Sequence, residues 1–544
     1  MSKLRAACIG QALAETQDCL VVGAGINGAV AAAALAGKGA KTTIIDKADF
    51  ASFTSQESSN LAWGGIKYLE TLEFKLVWKL CKCRNQLMKV YPNQVKETRF
   101  FTSIAKGFRM PHYMVYMGAL LYWFMGRFQT KPPFLLSRST IRNKAPVIKA
   151  DRVMGGLEYS DCCLVDNDAR FTFGFVRKAL DYGCNAINYM ELISAEWRDG
   201  LWHCALEDRV SGESAEIKAR SLINATGPFA DGINRILNIE SAFKHVLSKG
   251  VHIIVPQIGK ENRVLTFFAS DGRLFFMIPM GSRTCIGTTD TRVDSEAVEA
   301  TQEDIDFLLA NANELLDLER PLSENDIIAK RCGVRPLVMK TEATVDNAEW
   351  TALSRKHEID LHADRNMLTI YGGKITDCIN VGEGVADLVE SFGIKLSNPS
   401  AVWFGEPGEP RETQFMEACK KADMDRSICS NLWRRYGESA FQLLEKIETD
   451  PSMAELLIED YTRAELHHVA ESEMVVHLED FLRRRSMVSL SIKPEAIRNA
   501  PGLGEIARIL FGDGAQSEID HYFGFGQSSA FADVGRGELV GRAV

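Results

Sequence analysis

The sequence has no apolar stretch approaching the roughly 18 residues that a bilayer-crossing helix requires. Residues 1–17 hold no continuous apolar run of signal-peptide length either. Both absences predict a cytoplasmic protein, and neither keeps it off a membrane surface. There is no Cys-x-x-Cys pair. The 13 cysteines are odd in number, with Cys81 and Cys83 two apart and Cys162 and Cys163 adjacent. Such spacings form neither a disulfide framework nor a tetrahedral zinc site, so free thiols in a reducing compartment and no bound metal are expected. Internal repeats are absent as well.

What is present suits a folded globular protein: 46% apolar and 25% charged residues over 544 positions. That length exceeds one ordinary hydrophobic core and predicts two or three domains. The net charge is −9, yet residues 67–152 carry 17 Lys or Arg against 4 Asp or Glu. The local excess of +13 leaves −22 for the remainder. An acidic chain with one basic segment has a sided surface, and that segment is where an anionic partner would settle.

The most informative local pattern is Asp18-Cys-Leu-Val-Val-Gly-Ala-Gly-Ile-Asn-Gly28. The apolar run reads as a buried parallel strand. It meets Gly23, Gly25 and Gly28, and a small-residue helix is expected over 29–37. The first glycine turns the chain, the second lets backbone approach a pyrophosphate, and the third lets helix and strand pack closely. The helix N-terminus offers N–H groups to phosphates. A second strand, Lys41-Thr-Thr-Ile-Ile-Asp46, ends 18 positions after Gly28, where a carboxylate meets the ribose of an adenine dinucleotide. Two later segments favour FAD over NAD: the strand and turn over 221–227, and Tyr371-Gly-Gly-Lys-Ile-Thr376 after the apolar run 367–370. FAD is long and is held by segments far apart in sequence, whereas a compact NAD domain closes within about 150 residues.

Further marks follow in order. They are Thr54-Ser55 with Ser58-Ser59, Gly64-Gly-Ile-Lys-Tyr-Leu-Glu70, Gly156-Leu-Glu-Tyr-Ser-Asp161 and Asn224-Ala-Thr-Gly-Pro228. Then come Lys249-Gly-Val-His-Ile-Ile-Val-Pro256, Ile286-Gly-Thr-Thr-Asp290, Gly333-Val-Arg-Pro336, Gly372-Gly-Lys-Ile-Thr376, Ala464-Glu-Leu and Leu482-Arg-Arg-Arg-Ser486. In this order they resemble the flavoprotein glycerol-3-phosphate dehydrogenases, within the D-amino-acid-oxidase-like group, from about residue 18 to 494. The resemblance implies an α/β fold: a Rossmann-like FAD domain, an antiparallel-sheet substrate domain and a C-terminal helical cap. The divisions expected are an extension over 1–17, intertwined FAD and substrate parts over 18–405, the cap over 406–511, and a loosely ordered tail over 512–544. The cofactor contacts expected are Gly23, Gly25, Gly28, Asp46, Thr54, Ser55, Ser59, Ala225, Gly227, Gly372 and Gly373.

The implied reaction is oxidation of sn-glycerol 3-phosphate to dihydroxyacetone phosphate, with electrons passing from FAD to a membrane quinone or, in oxidase members, to oxygen. A phosphorylated substrate calls for Arg forks and Lys charges. By family correspondence, Arg335, Arg355, Lys374 and the Lys67-Tyr68 pair bind substrate, and His252 lies over the flavin. His252, Arg335 and Lys374 are the catalytic candidates, with His252 the natural proton acceptor because imidazole titrates near neutrality. The chain departs from the family pattern at Trp63 (usually His), Asn60 (usually Lys), Lys67 (usually Arg) and Ile375-Thr-Asp-Cys378. Asp377 is expected to bring a carboxylate into the flavin neighbourhood. These departures bear on the substrate, and another small anionic hydroxy compound stays open as the alternative. A flavin-holding RNA-modification factor is disfavoured by the acidic net charge and the intact cation set, so no nucleic acid partner is expected.

Residues 113–126 are apolar on nearly every face and span about 21 Å as a helix, too short to cross a bilayer. Lying between Arg109 and Arg127, they suit a helix resting on an anionic membrane, or a core helix with charged flanks. The family's quinone chemistry favours the first and places the protein on the cytoplasmic face of the inner membrane; a homodimer is left open. His467, His468, Glu471 and His477 read as a solvated helix face, and 432–447 as one amphipathic helix.

Overall fold

The computed structural model describes residues 2–108, 110–260, 262–342 and 356–524. Two large sheets organise the chain. In the first, strand Gln17–Val22 lies between Thr42–Ile45 and Ser214–Asn224, both parallel to it, with Val22 level with Ile45 and Asn224. Asn185–Ile187 and Met367–Tyr371 extend it in parallel on either side, and Glu358–His362 adds an antiparallel edge. All six residues of helix Ile26–Gly37 from Ala29 to Ala34 are fully buried, because a run of alanines presents no bulk to the elements packed around it.

The second sheet has ten strands. Its long members are Val95–Ala105, Val153–Leu164, Phe243–Pro256 and Ala329–Lys340. All its pairings are antiparallel but one, Val264–Phe268 beside Val95–Ala105, so the substrate sheet is mixed rather than purely antiparallel. Alternate residues of its strands enter different cores. Phe101, Leu265, Met277 and Ile253 pack on one side, and Phe100, Val264, Ile278 and Ile254 on the other.

After residue 404 the chain is helical, from Glu409–Lys421 through Leu503–Phe511 to Ala515–Gly524. Two sequence expectations are corrected here. The single helix over 432–447 is two, Arg426–Tyr436 and Ala440–Thr449, because Gly437 at φ 53° breaks the backbone between them. The tail expected from 512 holds a turn and the helix Ala515–Gly524, whose Ile519, Tyr522 and Phe523 pack on the cap core; residues 525–544 lie outside the described residues. The N-terminal extension is a helix, Lys3–Ala14, pinned by fully buried Arg5, which forks onto Asp208 at 2.8 and 2.9 Å. All 13 cysteines are free thiols.

Candidate active site

Strand Gln17–Val22 ends at a turn that admits no side chain. Gly23 has φ 95°, and a Cβ there would meet the Ala225 carbonyl oxygen at 2.8 Å. A Cβ at Gly28 would lie 1.8 Å from the Gly23 carbonyl oxygen, so helix and strand close on each other only while position 28 is bare. The start of helix Ile26–Gly37 opens on a cavity of about 440 Å³. Gly25, Asp46, Thr54, Ser55, Ala225, Gly227, Gly372 and Gly373, all named as cofactor contacts from the sequence, line it. Ser59 lies farther along its loop, outside this wall. Ser55 Oγ accepts from Ile26 N at 2.9 Å, and Asn27 Nδ2 donates to the Gly372 carbonyl oxygen at 2.8 Å. Asn27 Oδ1 is buried without a hydrogen-bond partner among the described residues. Asp46 accepts from the Ala24 and Ala48 amides at 2.6 and 3.0 Å. Burial pushes its carboxyl up to about 6 against those two bonds. Bare backbone, a helix N-terminus, a carboxyl at the second strand and an unpaired amide oxygen fit an adenine dinucleotide.

Two wall residues lead directly into the predicted reaction site: Pro336 follows Arg335, and Gly373 precedes Lys374. Arg335 donates from Nη2 to Thr288 Oγ1 at 2.6 Å, and from Nη1 to the Thr289 carbonyl and Asp290 Oδ1, both at 3.3 Å. Gly250 gives it room, since a Cβ there would lie 2.1 Å from Arg335 Nη2. Two residues along the same strand His252 is buried against Gly287, and its Nδ1 has no partner among the described residues. Burial first, then the charges of Arg335 and Arg331, hold its pKa well below the ordinary imidazole value, so it is neutral at neutral pH. Lys374 Nζ donates to the Tyr68 hydroxyl at 2.7 Å and lies 4.2 Å from that ring's centre.

Not every predicted residue joins them. Lys67 is exposed and lines a recess under helix His112–Met125. Arg355 lies outside the described residues. Asp377 does not line the cofactor cavity. It is buried toward helix Phe74–Val90, accepting from Lys79 at 2.9 Å, His357 at 2.7 Å and Asn380 at 2.6 Å. Burial pushes its carboxyl upward, but hydrogen bonds from His357 and Asn380 outweigh that and hold it well below the usual range. Its charge is therefore met locally rather than presented to the flavin. The histidines of 467–477 diverge: His468 packs edge-on to Tyr436, and His477 pairs with Glu518 at 3.3 Å.

Two groups of functional neighbours escape sequence reasoning. Arg331, fully buried, binds the Ser58 carbonyl and donates to Asn60 Oδ1 at 3.1 Å; a buried cation thus stands at the position where Asn60 departs from the family pattern. The run Arg483-Arg484-Arg485 leaves the cap to hold the cofactor loop. Arg483 binds the Gln56 carbonyl and Glu57, and Arg484 and Arg485 clasp Asp49 at 2.7 Å each. The arginine run is visible in the sequence, but its partners, more than 400 residues away, are not.

Comparison with known proteins agrees with this geometry. Residues 18–374 match the family model of FAD dependent oxidoreductases, and 404–512 that of the C-terminal domain of alpha-glycerophosphate oxidase. The chain is 31% identical to a glycerol-3-phosphate dehydrogenase of Pseudomonas aeruginosa over 89% of its own length and 94% of that protein's. It is 29% identical to the aerobic glycerol-3-phosphate dehydrogenase of Escherichia coli strain K12, over 87% and 94%. The fold matches the FAD-complexed glycerol-3-phosphate dehydrogenase structure from Bacillus halodurans with a TM-score of 0.74 at 24% identity, covering 95% and 97%. A relative alike over nearly its whole length, on a fold whose glycine-lined cavity fits FAD, leaves one conclusion: FAD is the cofactor, and the chain belongs to the FAD-dependent glycerol-3-phosphate dehydrogenase family.

Proposed function

We propose that the protein oxidises sn-glycerol 3-phosphate at C2 to dihydroxyacetone phosphate and delivers the electrons to a membrane quinone. Bound FAD supplies the hydride acceptor. The observation that carries this reading is an uncharged His252 within reach of Arg335's charge, together with the placing of Pro336 and Gly373, the chain neighbours of Arg335 and of the Tyr68-bound Lys374, in the cofactor cavity's wall. Two held cations neutralise a phosphate dianion and orient it; an aliphatic amine would be repelled by them. His252, kept neutral by burial, accepts the hydroxyl proton. Trp63, with its ring centre 6.4 Å from that of Tyr68, supports a second reading, oxidation of another small anionic alcohol by the same groups.

The acceptor's side rests on helix His112–Met125. Met114, Met117 and Phe124 are 51%, 60% and 55% exposed, so this is not the buried core helix that the sequence left as an alternative. Exposed Lys75, Lys82, Arg127 and Lys131 belong to the same segment. A broad apolar face with basic residues around it suits an anionic bilayer surface. Among the described residues no helix is long and apolar enough to cross a membrane.

The decisive experiment is anaerobic. Adding sn-glycerol 3-phosphate to the FAD-loaded protein should bleach the visible flavin absorbance, and a quinone analogue should restore it. A flavin that stays oxidised rejects the substrate, and a panel of hydroxy acids then tests the second reading. Hydrogen peroxide formed in air would identify an oxidase instead. Co-sedimentation with anionic vesicles, lost in Met117→Glu/Phe124→Glu, tests the membrane surface.

A further inference from the structure

A cavity of about 670 Å³, in the size range of small-molecule sites, lies where the cap meets the second sheet. Its walls come from the turn at Gln56 and Glu57, the start of strand Ala329–Lys340, and the cap segments Val488–Ser491 and Pro494–Arg498. It shares no lining residue with the cofactor cavity. Its apolar part is composite: Ile327 packs on one core of the sheet, Leu490 belongs to the other, and Ile497 to the core of the cap.

Two donors in this lining are left over. Arg483 is 7% exposed, and its Nη1 has no hydrogen-bond partner among the described residues. The buried hydroxyl of Ser489 has none there either. Arg483 Nη2 is committed to the Gln56 carbonyl and to Glu57 Oε1, the latter at 3.2 Å. Glu57 in turn has capacity left. Its two oxygens take one hydrogen bond each, from Arg483 and from the Cys332 amide at 3.1 Å, where each oxygen can accept two. Burial raises the pKa of Glu57 and lowers that of Arg483, so their contact with each other does not fully replace the water that either has lost.

The rest of the lining narrows the ligand's charge. Five Glu, at 57, 299, 324, 479 and 495, stand against Arg483, Lys330 and Lys493, a net −2. A phosphate dianion would be repelled by that excess. A simple amine would leave the Arg483 and Ser489 donors unmet. A molecule that carries a carboxylate and an ammonium on neighbouring atoms meets both ends of the Arg483–Glu57 pair at once.

We propose that this cavity binds a zwitterionic α-amino acid with an aliphatic side chain. Its carboxylate accepts from Arg483 Nη1 and the Ser489 hydroxyl, its ammonium donates to Glu57, and its side chain rests on Leu490 and Ile497. The site is separate from the reaction centre but abuts the cofactor loop, because Gln56, whose carbonyl Arg483 holds, follows Ser55 of the cofactor wall.

The test is a calorimetric titration of the FAD-loaded protein with leucine. Binding should be saturable and should raise the melting temperature. Isocaproate lacks the ammonium and isopentylamine lacks the carboxylate; each should bind at least about tenfold more weakly than leucine. Ser489→Ala removes a hydroxyl that bonds nothing among the described residues, so the fold should melt no lower while leucine affinity falls about tenfold. Lys374→Met should bind leucine as the unaltered protein does. No saturable binding of leucine overturns the proposal, as does either truncated ligand binding as tightly, or unchanged affinity in Ser489→Ala. Binding lost in Lys374→Met moves leucine to the reaction site and overturns it equally.

Discussion

Asp49 offers the sharpest test of how the cap serves the cofactor. Its carboxylate is fully buried and accepts from Arg484 Nε at 2.7 Å, from Arg485 at 2.7 and 2.8 Å, and from Asn188 at 2.9 Å. It stands three residues after Asp46 and three before Ser52, both in the cavity wall. Burial pushes its pKa upward, but the charges of Arg485 and Arg484 prevail and hold it below the ordinary value. In Asp49→Asn, Arg484 keeps Asp480 at 2.6 Å. Among the described residues Arg485 keeps only the Glu473 carbonyl and the faces of Phe173 and Phe50. An uncompensated buried charge of this kind costs about 3–5 kcal/mol. Unfolding entropy of about 2.1 cal/mol/K per residue, over 544 residues, converts this to a drop of about 3–4 °C in melting temperature. Glu438→Gln supplies the reference: its bidentate pair with Arg411 is 48% exposed on each side and should cost under about 1 kcal/mol. The assay is a thermal melt followed by flavin fluorescence, which rises when FAD leaves. Because Asp49 has a depressed folded pKa, its stabilisation is complete above the unfolded value near 3.9 and disappears as pH falls below it. Equal melting of the two variants at pH 7, or FAD release unchanged in Asp49→Asn, would refute the reasoning.

Gly28→Ala forces a methyl group into the Gly23 carbonyl at 1.8 Å and should yield protein with little flavin; a normal ratio of flavin to protein absorbance would contradict the role of that glycine. Lys374→Met should retain FAD and lower kcat/KM for glycerol 3-phosphate on the order of a hundredfold, and a variant of full activity removes Lys374 from the site. His252, its pKa depressed by burial and by Arg335 and Arg331, stays neutral where a free imidazole charges. The His252 ring resonances in the substrate-free protein should therefore stay those of the neutral imidazole as pH falls through about 6.5; a titrating His252 signal there would show an exposed histidine instead.

The cofactor half of the site was legible because its chemistry is local. Strand, three glycines, small-residue helix and terminal Asp46 sit within thirty residues, and Gly23 and Gly28 answer collisions that the structure displays. Arg335 and Lys374 were reached through family correspondence, and their adjacency to Pro336 and Gly373 explains why those motifs carry both a backbone approach to the cofactor and a cation beside it. Lys67 and Asp377 were misplaced for a shared reason. Sequence position sets the turn a residue occupies, but not whether its side chain faces the cavity, the recess or helix Phe74–Val90. The broken helix at 437 and the ordered helix Ala515–Gly524 show the same limit, since a positive φ at one glycine and burial of three aromatic or aliphatic side chains are tertiary outcomes.

By itself the sequence determined the nucleotide-binding unit, the basic apolar segment and the family to which the chain belongs. The first two are written in contiguous residues whose periodicity and backbone freedom act over a few ångströms, and the family in short motifs kept in order along the chain. Only the tertiary structure decided that Arg331 sits under Asn60, that the cap arginines clasp Asp49, and that Ser489 shares a cavity with Glu57. Those contacts join segments up to several hundred residues apart, and their energies exist only once burial has removed water from between the partners.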